Sequence, residues 1–512
     1  MSRPTEFSQG SQASSRAGLR RREVMGLGAV ALADLLASRV ANAKGRRGHD
    51  RAVTRPVPPP AAALEPLSVM LGRPTDRSVT ANVLAATALD ACIEYRPGPD
   101  GPPRRTDPVR LAAGAPVEIV LDGLRAGARC AYRLCTHRPG EATFTCGREY
   151  TFHTQRPPGS AFTFEVQGDS HPERPHQHDP ALYARTLLAA EADRPDFYLT
   201  LGDDFSVDKL DPDTVTEAQV AERYLLQRPY LGLVGRSAPV FLVNGNHEQA
   251  ARCNLDGTPD NVAVWAQRAR NRLFPQPAPD GFYTGDAHPV EFIGLLRDYY
   301  AWTWGDALFV VIDPYWHSPG PVDNVFGSRD KKRDMWAITL GDEQYRWLER
   351  TLKGNRTPYT FVFTHHVLGT GRGGVECAGL YEWGGRNKRG DREFARKRPN
   401  WPMPIHDLMA EHGVTIFFQG HDHVFARQER DGVVYQTLPE PADPNRALYN
   451  RHAYRSGTVL PNSGRLRVGV SPESVRVEYV RSYLPTDATP EHPDGEVAFA
   501  YTAVPRRKEG RS

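Results

Sequence analysis

Hydrophobic positions along this chain fall into two regimes. From 67 to 156 they come in short alternating runs, Ser78–Leu84, Ala91–Tyr95, Val117–Leu121 and Tyr132–Leu134, separated by turn clusters at Arg96–Pro103 and Ala112–Pro116. Alternation at period two with regular turns predicts a small all-β sandwich. From 160 onward the pattern changes. Short continuous apolar runs, Phe162–Val166, Phe197–Leu201, Val240–Val243, Phe361–Phe363 and Thr415–Phe418, read as buried strands. Helical stretches lie between them. Asp179 and Pro180 supply a cap and a first-turn proline for Ala181–Ala192, Thr216–Gln227 forms a second helix, and Asp342 caps Glu343–Leu352. Later strands are Val433–Thr437, Arg465–Val470, Val475–Tyr479 and Val497–Thr502. The fold class is α/β: a four-layer α/β sandwich of two mixed sheets flanked by helices, preceded by the small β-sandwich.

Each of the five strands runs straight into a polar motif. In order they are Asp169-Ser170-His171, Gly202-Asp203, Gly245-Asn246-His247-Glu248, His365-His366 and Gly420-His421-Asp422-His423. The C-terminal rim of such strands is where open α/β sheets build ligand sites. Imidazole, carboxylate and amide oxygen together suit Zn, Fe, Mn or Co. A carboxylate can bridge two ions. Two cations roughly 3.5–4 Å apart acidify a water between them and clamp an in-line phosphoryl displacement.

This ordered set resembles the calcineurin-like metallophosphoesterase superfamily, whose pattern is D-x-H, G-D, G-N-H-[DE], H and G-H-x-H; the resemblance spans about 160–480. It implies that Asp169, His171 and His423 hold one metal, that Asp203 bridges, and that Asn246, His365 and His421 hold the other. His247 is then the catalytic partner at the leaving group, with Asp203 catalytic through the bridge. Glu248 is expected behind the ligands, orienting an imidazole, with Asp204 as a similar partner or a solvated turn carboxylate. His366 either faces substrate or packs behind the site. The stretch Leu121-Asp122-Gly123-Leu124, then Gly127 and Tyr132, resembles the corner before a late strand of fibronectin type III domains; such a domain precedes the catalytic unit in plant-type purple acid phosphatases. Their metal-binding tyrosine, however, is replaced here by Ser206, so no ferric-tyrosinate site is expected and the metals stay open among Mn, Fe and Zn.

Composition adds bounds. The 512 residues carry 64 basic and 61 acidic side chains, a formal net charge of +3, which gives no case for a dedicated nucleic-acid partner. Residues 1–43 resemble a twin-arginine signal, with Arg21-Arg22, an apolar stretch Met25–Ala33 and a small-residue cleavage site at Ala41-Asn42-Ala43. That implies the twin-arginine translocation machinery as a partner, a periplasmic or secreted destination and no permanent membrane anchor. Residues 44–66 read as a linker, 67–156 as the sandwich, 160–484 as the catalytic domain and 485–512 as a tail, in which Arg506-Arg507-Lys508 is a solvated terminus. Six cysteines match no zinc spacing; four of them, in the β region, admit one or two disulfides or buried free thiols.

Two long segments, Ala250–Trp304 and Gly369–Trp401, are expected to shape the substrate cleft. Arg372, Tyr381 and Trp383 are its candidate substrate-binding residues, and the run Arg386–Arg398 reads as a solvated face. The expected activity is hydrolysis of a small phosphomonoester, a hydroxide held by the metals attacking phosphorus in line. The alternatives are a phosphodiesterase on nucleotides or phospholipid head groups, an inactive metal-binding scaffold, and a polysaccharide-binding module.

Overall fold

The computed structural model describes residues 67–323, 326–327 and 334–505. The expected signal at 1–43, the linker at 44–66 and the basic Arg506-Arg507-Lys508 lie outside the described residues. No helix among those described is long and apolar enough to cross a membrane.

The five motif-bearing strands lie in two mixed sheets, four of them internal and Val240–Leu242 at an edge. The first sheet runs in the order Val240–Leu242, Phe197–Thr200, Phe162–Gln167, Gly464–Val470, Val475–Arg481, Val497–Ala503. Its first three strands are parallel, and Gln167 stands beside Thr200 and Thr200 beside Leu242. The second sheet carries Ala307–Val311, Tyr359–Phe363, Ile416–Gln419 and Val433–Thr437 as parallel neighbours, with antiparallel strands outside them. There Val311 stands beside Phe363, and Phe363 beside Phe418. This register ends the parallel strands of each sheet at one level, so their polar motifs leave from a common rim.

The facing sides of the two sheets are aromatic. Phe164 meets Phe309 edge-on at 5.1 Å, and Phe363 stacks on Phe418 at 5.0 Å, all fully buried. Each such burial contributes about 1.5–3 kcal/mol. Helices Pro180–Asp193, Glu217–Gly235 and Val262–Leu273 cover the outer face of the first sheet, and Gly341–Gly354 with Ile405–Glu411 covers the second. The four layers are thus helix, sheet, sheet, helix.

Local signals hold in some places and fail in others. Asp179 caps its helix by accepting from the amides of Ala181 and Leu182 at 2.8 and 2.9 Å. The helix begun at Thr216 does not stop at Gln227. It continues through Pro229 to Gly235, because Tyr230, Leu231 and Val234 pack with Met70 and Leu84 of the β layer. Asp342 is not a cap: the helix begins at Gly341, and the Asp342 carboxylate accepts from Trp401 Nε1 at 2.7 Å. Ala250–Trp304 is not a cleft loop. It contains a helix, and Tyr300, Trp302 and Trp304 form a core strand, Tyr300–Trp304.

Between 67 and 156 a three-stranded antiparallel sheet, Leu67–Gly72, Val79–Ala85 and Val117–Leu121, packs on a second sheet built around Leu89–Arg96 and Arg129–His137. One disulfide joins Cys135 to Cys146, while Cys92 and Cys130 are buried thiols. The β layer is fastened to the catalytic layers by buried polar bonds. Arg228 donates to Ser68 Oγ and to the carbonyls of Asn82 and Leu273, and Tyr132 donates its hydroxyl to the Arg236 carbonyl at 2.7 Å.

Candidate metal centre

The five motifs meet at the rim. Asp169, His171 and His423 form one group in which a donor atom of each lies within 4.8 Å of the others, and Asp203, His365 and His421 form a second. His171, Asp203 and His247 form a third group, which links the first two. His365 Nε2 lies 3.0 Å from Asp203 Oδ2 and 3.0 Å from His421 Nδ1. His423 Nε2 lies 3.1 Å from Asp169 Oδ2. All these ligand-type side chains are buried or nearly so.

The backbone is bent to achieve this. His171, Asp203, His421 and His423 all have positive φ, from 40° to 68°. Non-glycine residues there cost about 1–3 kcal/mol each, and such strain collects at functional sites. The motif glycines have a steric reason. A Cβ on Gly202, at φ +83°, would come within 2.4 Å of the Gly245 amide, and one on Gly420 within 2.5 Å of Asp169 Oδ1.

The donor set fits metal ions on two counts. First, His171 Nε2 and both side-chain polar atoms of Asn246 are buried with no hydrogen-bond partner among the described residues. Orphans of this kind are rare, and a bound ion is one accepted explanation. Second, the charge balance calls for cations. Burial opposes a charge on His365, yet Asp203 and Asp169 raise its pKa to about 9; Glu440 and Asp169 likewise outweigh burial at His423 and raise it to about 10. Burial would raise Asp169, but His423 and His365 hold it at about 2. The buried carboxylates therefore draw positive charge into the cluster, and a cation can supply it once the imidazoles are neutral ligands. His171, lowered to about 4 mainly by burial and then by Arg174, is neutral at physiological pH.

Groups behind these side chains fix their orientation. His365 Nδ1 donates to the Leu201 carbonyl at 2.7 Å, and His423 Nδ1 lies 2.7 Å from Glu440 Oε1. His171 Nδ1 faces Glu173 Oε1 at 3.2 Å. Locking one ring nitrogen presents the other to a metal. Glu248 does not orient an imidazole, contrary to the sequence reading. Its two oxygens accept from the Asp204 and Gly245 amides, both at 2.8 Å, and so stitch two motif loops together. Asp204 is no solvated turn residue. It is buried and accepts from Thr200 Oγ1 at 2.6 Å, and burial, with Asp169 and Asp203 nearby, pushes its pKa up to about 7.

His247 stands at the edge of the pair. Its amide donates to Asp203 Oδ1 at 2.8 Å and its Nδ1 lies 2.6 Å from Asp208 Oδ1, leaving Nε2 beside Arg174 Nη2 at 2.9 Å. The same guanidinium nitrogen donates to Ser206 Oγ at 3.0 Å. Arg174, Asp208, Glu173 and Glu440 were not singled out from sequence. Glu173 and Arg174 sit within three residues of His171, which was a readable signal; Glu440 follows the strand Val433–Thr437 and carried none.

The substrate-binding candidates divide. Arg372 lies at the rim, its Nη1 donating to the His421 carbonyl at 2.8 Å. His366 is fully buried, packs beside His421 and lies 3.0 Å by Nε2 from the Gly373 carbonyl, so of its two readings it packs behind the site. Tyr381 and Trp383 are corrected. Both are core residues: Trp383 packs on Phe417 and donates to the Tyr435 hydroxyl at 3.0 Å, and Tyr381 packs against Trp336. Their aromatic surface is satisfied by other core residues rather than presented to a ligand.

A family model described as calcineurin-like phosphoesterase matches residues 162–425. Among solved structures, one of PhoD aligns with a TM-score of 0.57 at 14% identity, covering 85% of this chain and 88% of that one, which shows the fold alone. GAP50, the anchor in the inner membrane complex of Plasmodium, aligns at 0.35 and 12% identity over 68% of this chain and 90% of that one, too weakly to carry an argument. No curated protein matches the chain.

Proposed function

The chain belongs to the calcineurin-like phosphoesterase family and is a metal-dependent phosphoester hydrolase; on that premise we propose that it is an exported phosphomonoesterase with a dinuclear centre. The observation that carries this reading is the pair of donor groups linked by a third, which shares His171 with one and Asp203 with the other. In it, Asp169, His171 and His423 take one cation, Asn246, His365 and His421 the other, and Asp203 both. When bound, the two cations neutralise phosphoryl charge and acidify the attacking water.

The remaining work falls to protein groups. Asp208 holds His247 through Nδ1, which leaves Nε2 to act; in this structure Nε2 accepts from Arg174 Nη2, so it delivers a proton to the departing alkoxide only from the doubly protonated ring, with Arg174 turned to the phosphate. Arg174, next to that Nε2, offers a planar donor pair to a phosphate oxygen. A monoester carries more charge than a diester, and a guanidinium at this point favours it. Asp208 and Ser206 keep the two groups in register.

The division into a fibronectin type III-like sandwich at 67–156 and a catalytic domain from 160 is part of this proposal, as is export; the tail expected from 485 is corrected, because Val497–Ala503 pairs with Val475–Arg481 as the last strand of the first catalytic sheet. Export is supported by Arg21-Arg22 and Ala41-Asn42-Ala43, and mature protein beginning at Lys44 outside the cytoplasm would bear it out. The substrate reading is tested by comparing p-nitrophenyl phosphate with bis-p-nitrophenyl phosphate. A higher kcat/KM on the monoester is expected, with Arg174→Ala losing most of that preference. Faster diester cleavage by the wild type would replace this reading with a phosphodiesterase.

A further inference from the structure

Outside the catalytic cluster the fold gathers a second mixed set of ligand-type side chains. Asp286 and Asp298 come from the segment leading into strand Tyr300–Trp304, and His317 from the turn after strand Ala307–Val311. One donor atom of each lies within 4.8 Å of the other two. His317 Nε2 is 3.0 Å from Asp298 Oδ2. The other oxygen of that same carboxylate, Oδ1, has no hydrogen-bond partner among the described residues, although the side chain is fully buried within the cluster. Asp286 is buried too, with one oxygen accepting from the His288 amide at 2.9 Å. A third buried carboxylate, Asp313, adds its charge to Asp298. The ion-pair partners of Asp286 and Asp298 among the described residues are histidines, not Lys or Arg.

Buried carboxylates without a cation are costly, and an unpartnered buried carboxylate oxygen more so. Two carboxylates and one imidazole make a donor set for Zn²⁺ or Mn²⁺; Ca²⁺ and Mg²⁺ favour oxygen alone. We propose that Asp286, Asp298 and His317 bind a third divalent transition-metal ion, separate from the catalytic pair and structural in role. The ion ties the segment carrying Asp286 and Asp298 to the turn Pro314–Ser318. That turn is in contact with the catalytic rim: Asp313 accepts from Asn244 Nδ2 at 2.7 Å, and Asn244 immediately precedes Gly245-Asn246-His247-Glu248.

The rival is a proton shared within the cluster. Native mass spectrometry of the zinc-loaded full chain separates the two. Three ions per wild-type chain are expected, and two in Asp286→Asn and His317→Gln, with turnover of p-nitrophenyl phosphate within about threefold of wild type. A wild-type count of two, or folded variants that keep the wild-type count, overturns the proposal and leaves the catalytic reading untouched. If neither variant folds, a zinc-edge anomalous map of the wild type decides: a peak within bonding distance of Asp298 supports the site, and its absence removes it. Failure of the catalytic reading looks different, as loss of turnover with all ions bound.

Discussion

His247 is the residue at which structure and chemistry meet most sharply. If it protonates the leaving group, His247→Ala should lower kcat by roughly 10²–10⁴ on an alkyl phosphate. The loss should be much smaller on p-nitrophenyl phosphate, whose leaving group needs little protonation. Equal losses on both substrates would show that His247 only binds or positions. The motif histidines and carboxylates were legible because five ordered strand-end motifs are improbable by chance. Their helpers were not. Glu440 lies seventeen residues beyond His423 in sequence, yet its carboxylate is 2.7 Å from that ring. Only the fold brings it there. Tyr381 and Trp383 show the opposite error: position after a catalytic strand suggested a cleft, but large aromatic side chains near a sheet are drawn into its core.

Among the elements, helix Pro180–Asp193 and strand Gly464–Val470 are joined by a charge network. Asp193 accepts from Arg465 Nη2 at 2.5 Å and Arg467 Nη1 at 3.0 Å, and Arg465 also reaches Glu165 at 2.6 Å. Burial would raise the Asp193 pKa, but the Glu165 carboxyl, itself pushed up to about 8 by burial and so protonated, and the two guanidiniums hold it below its ordinary value. A depressed carboxylate contributes its stability above the unfolded pKa, near 4, and loses it as pH falls through the folded value. Asp193→Asn should therefore lower Tm at pH 7, by an amount corresponding to about 1.5–3 kcal/mol. The difference from wild type should shrink on acidification to pH 3; a difference that stayed constant over that range would exclude the ionised carboxylate as its source. Element existence was readable from apolar runs and caps. Element ends were not, as Glu217–Gly235 shows: Pro229 suggests a stop, and packing against Met70 carries the helix past it.

For the molecule as a whole, the β layer and the catalytic layers share one buried seam. Arg228 sits there with no acidic partner among the described residues, its pKa lowered to about 9 by burial, holding carbonyls from both sides. Arg228→Ala leaves those acceptors unsatisfied and should cost about 1–3 kcal/mol for each one stranded. Limited proteolysis should then cut between the layers, and unchanged resistance would argue against the seam. The sandwich itself was visible in alternating runs, but this docking was not, because it depends on backbone carbonyls that no side-chain pattern encodes. The central claim, two cations joined by Asp203, is tested most directly by titrating metal-stripped protein with Mn²⁺ or Zn²⁺ while following p-nitrophenol release. The expected result is no turnover without metal, full recovery no earlier than the second equivalent, and no recovery in Asp203→Asn. Turnover that survives stripping, or an Asp203→Asn protein as active as wild type, would contradict it.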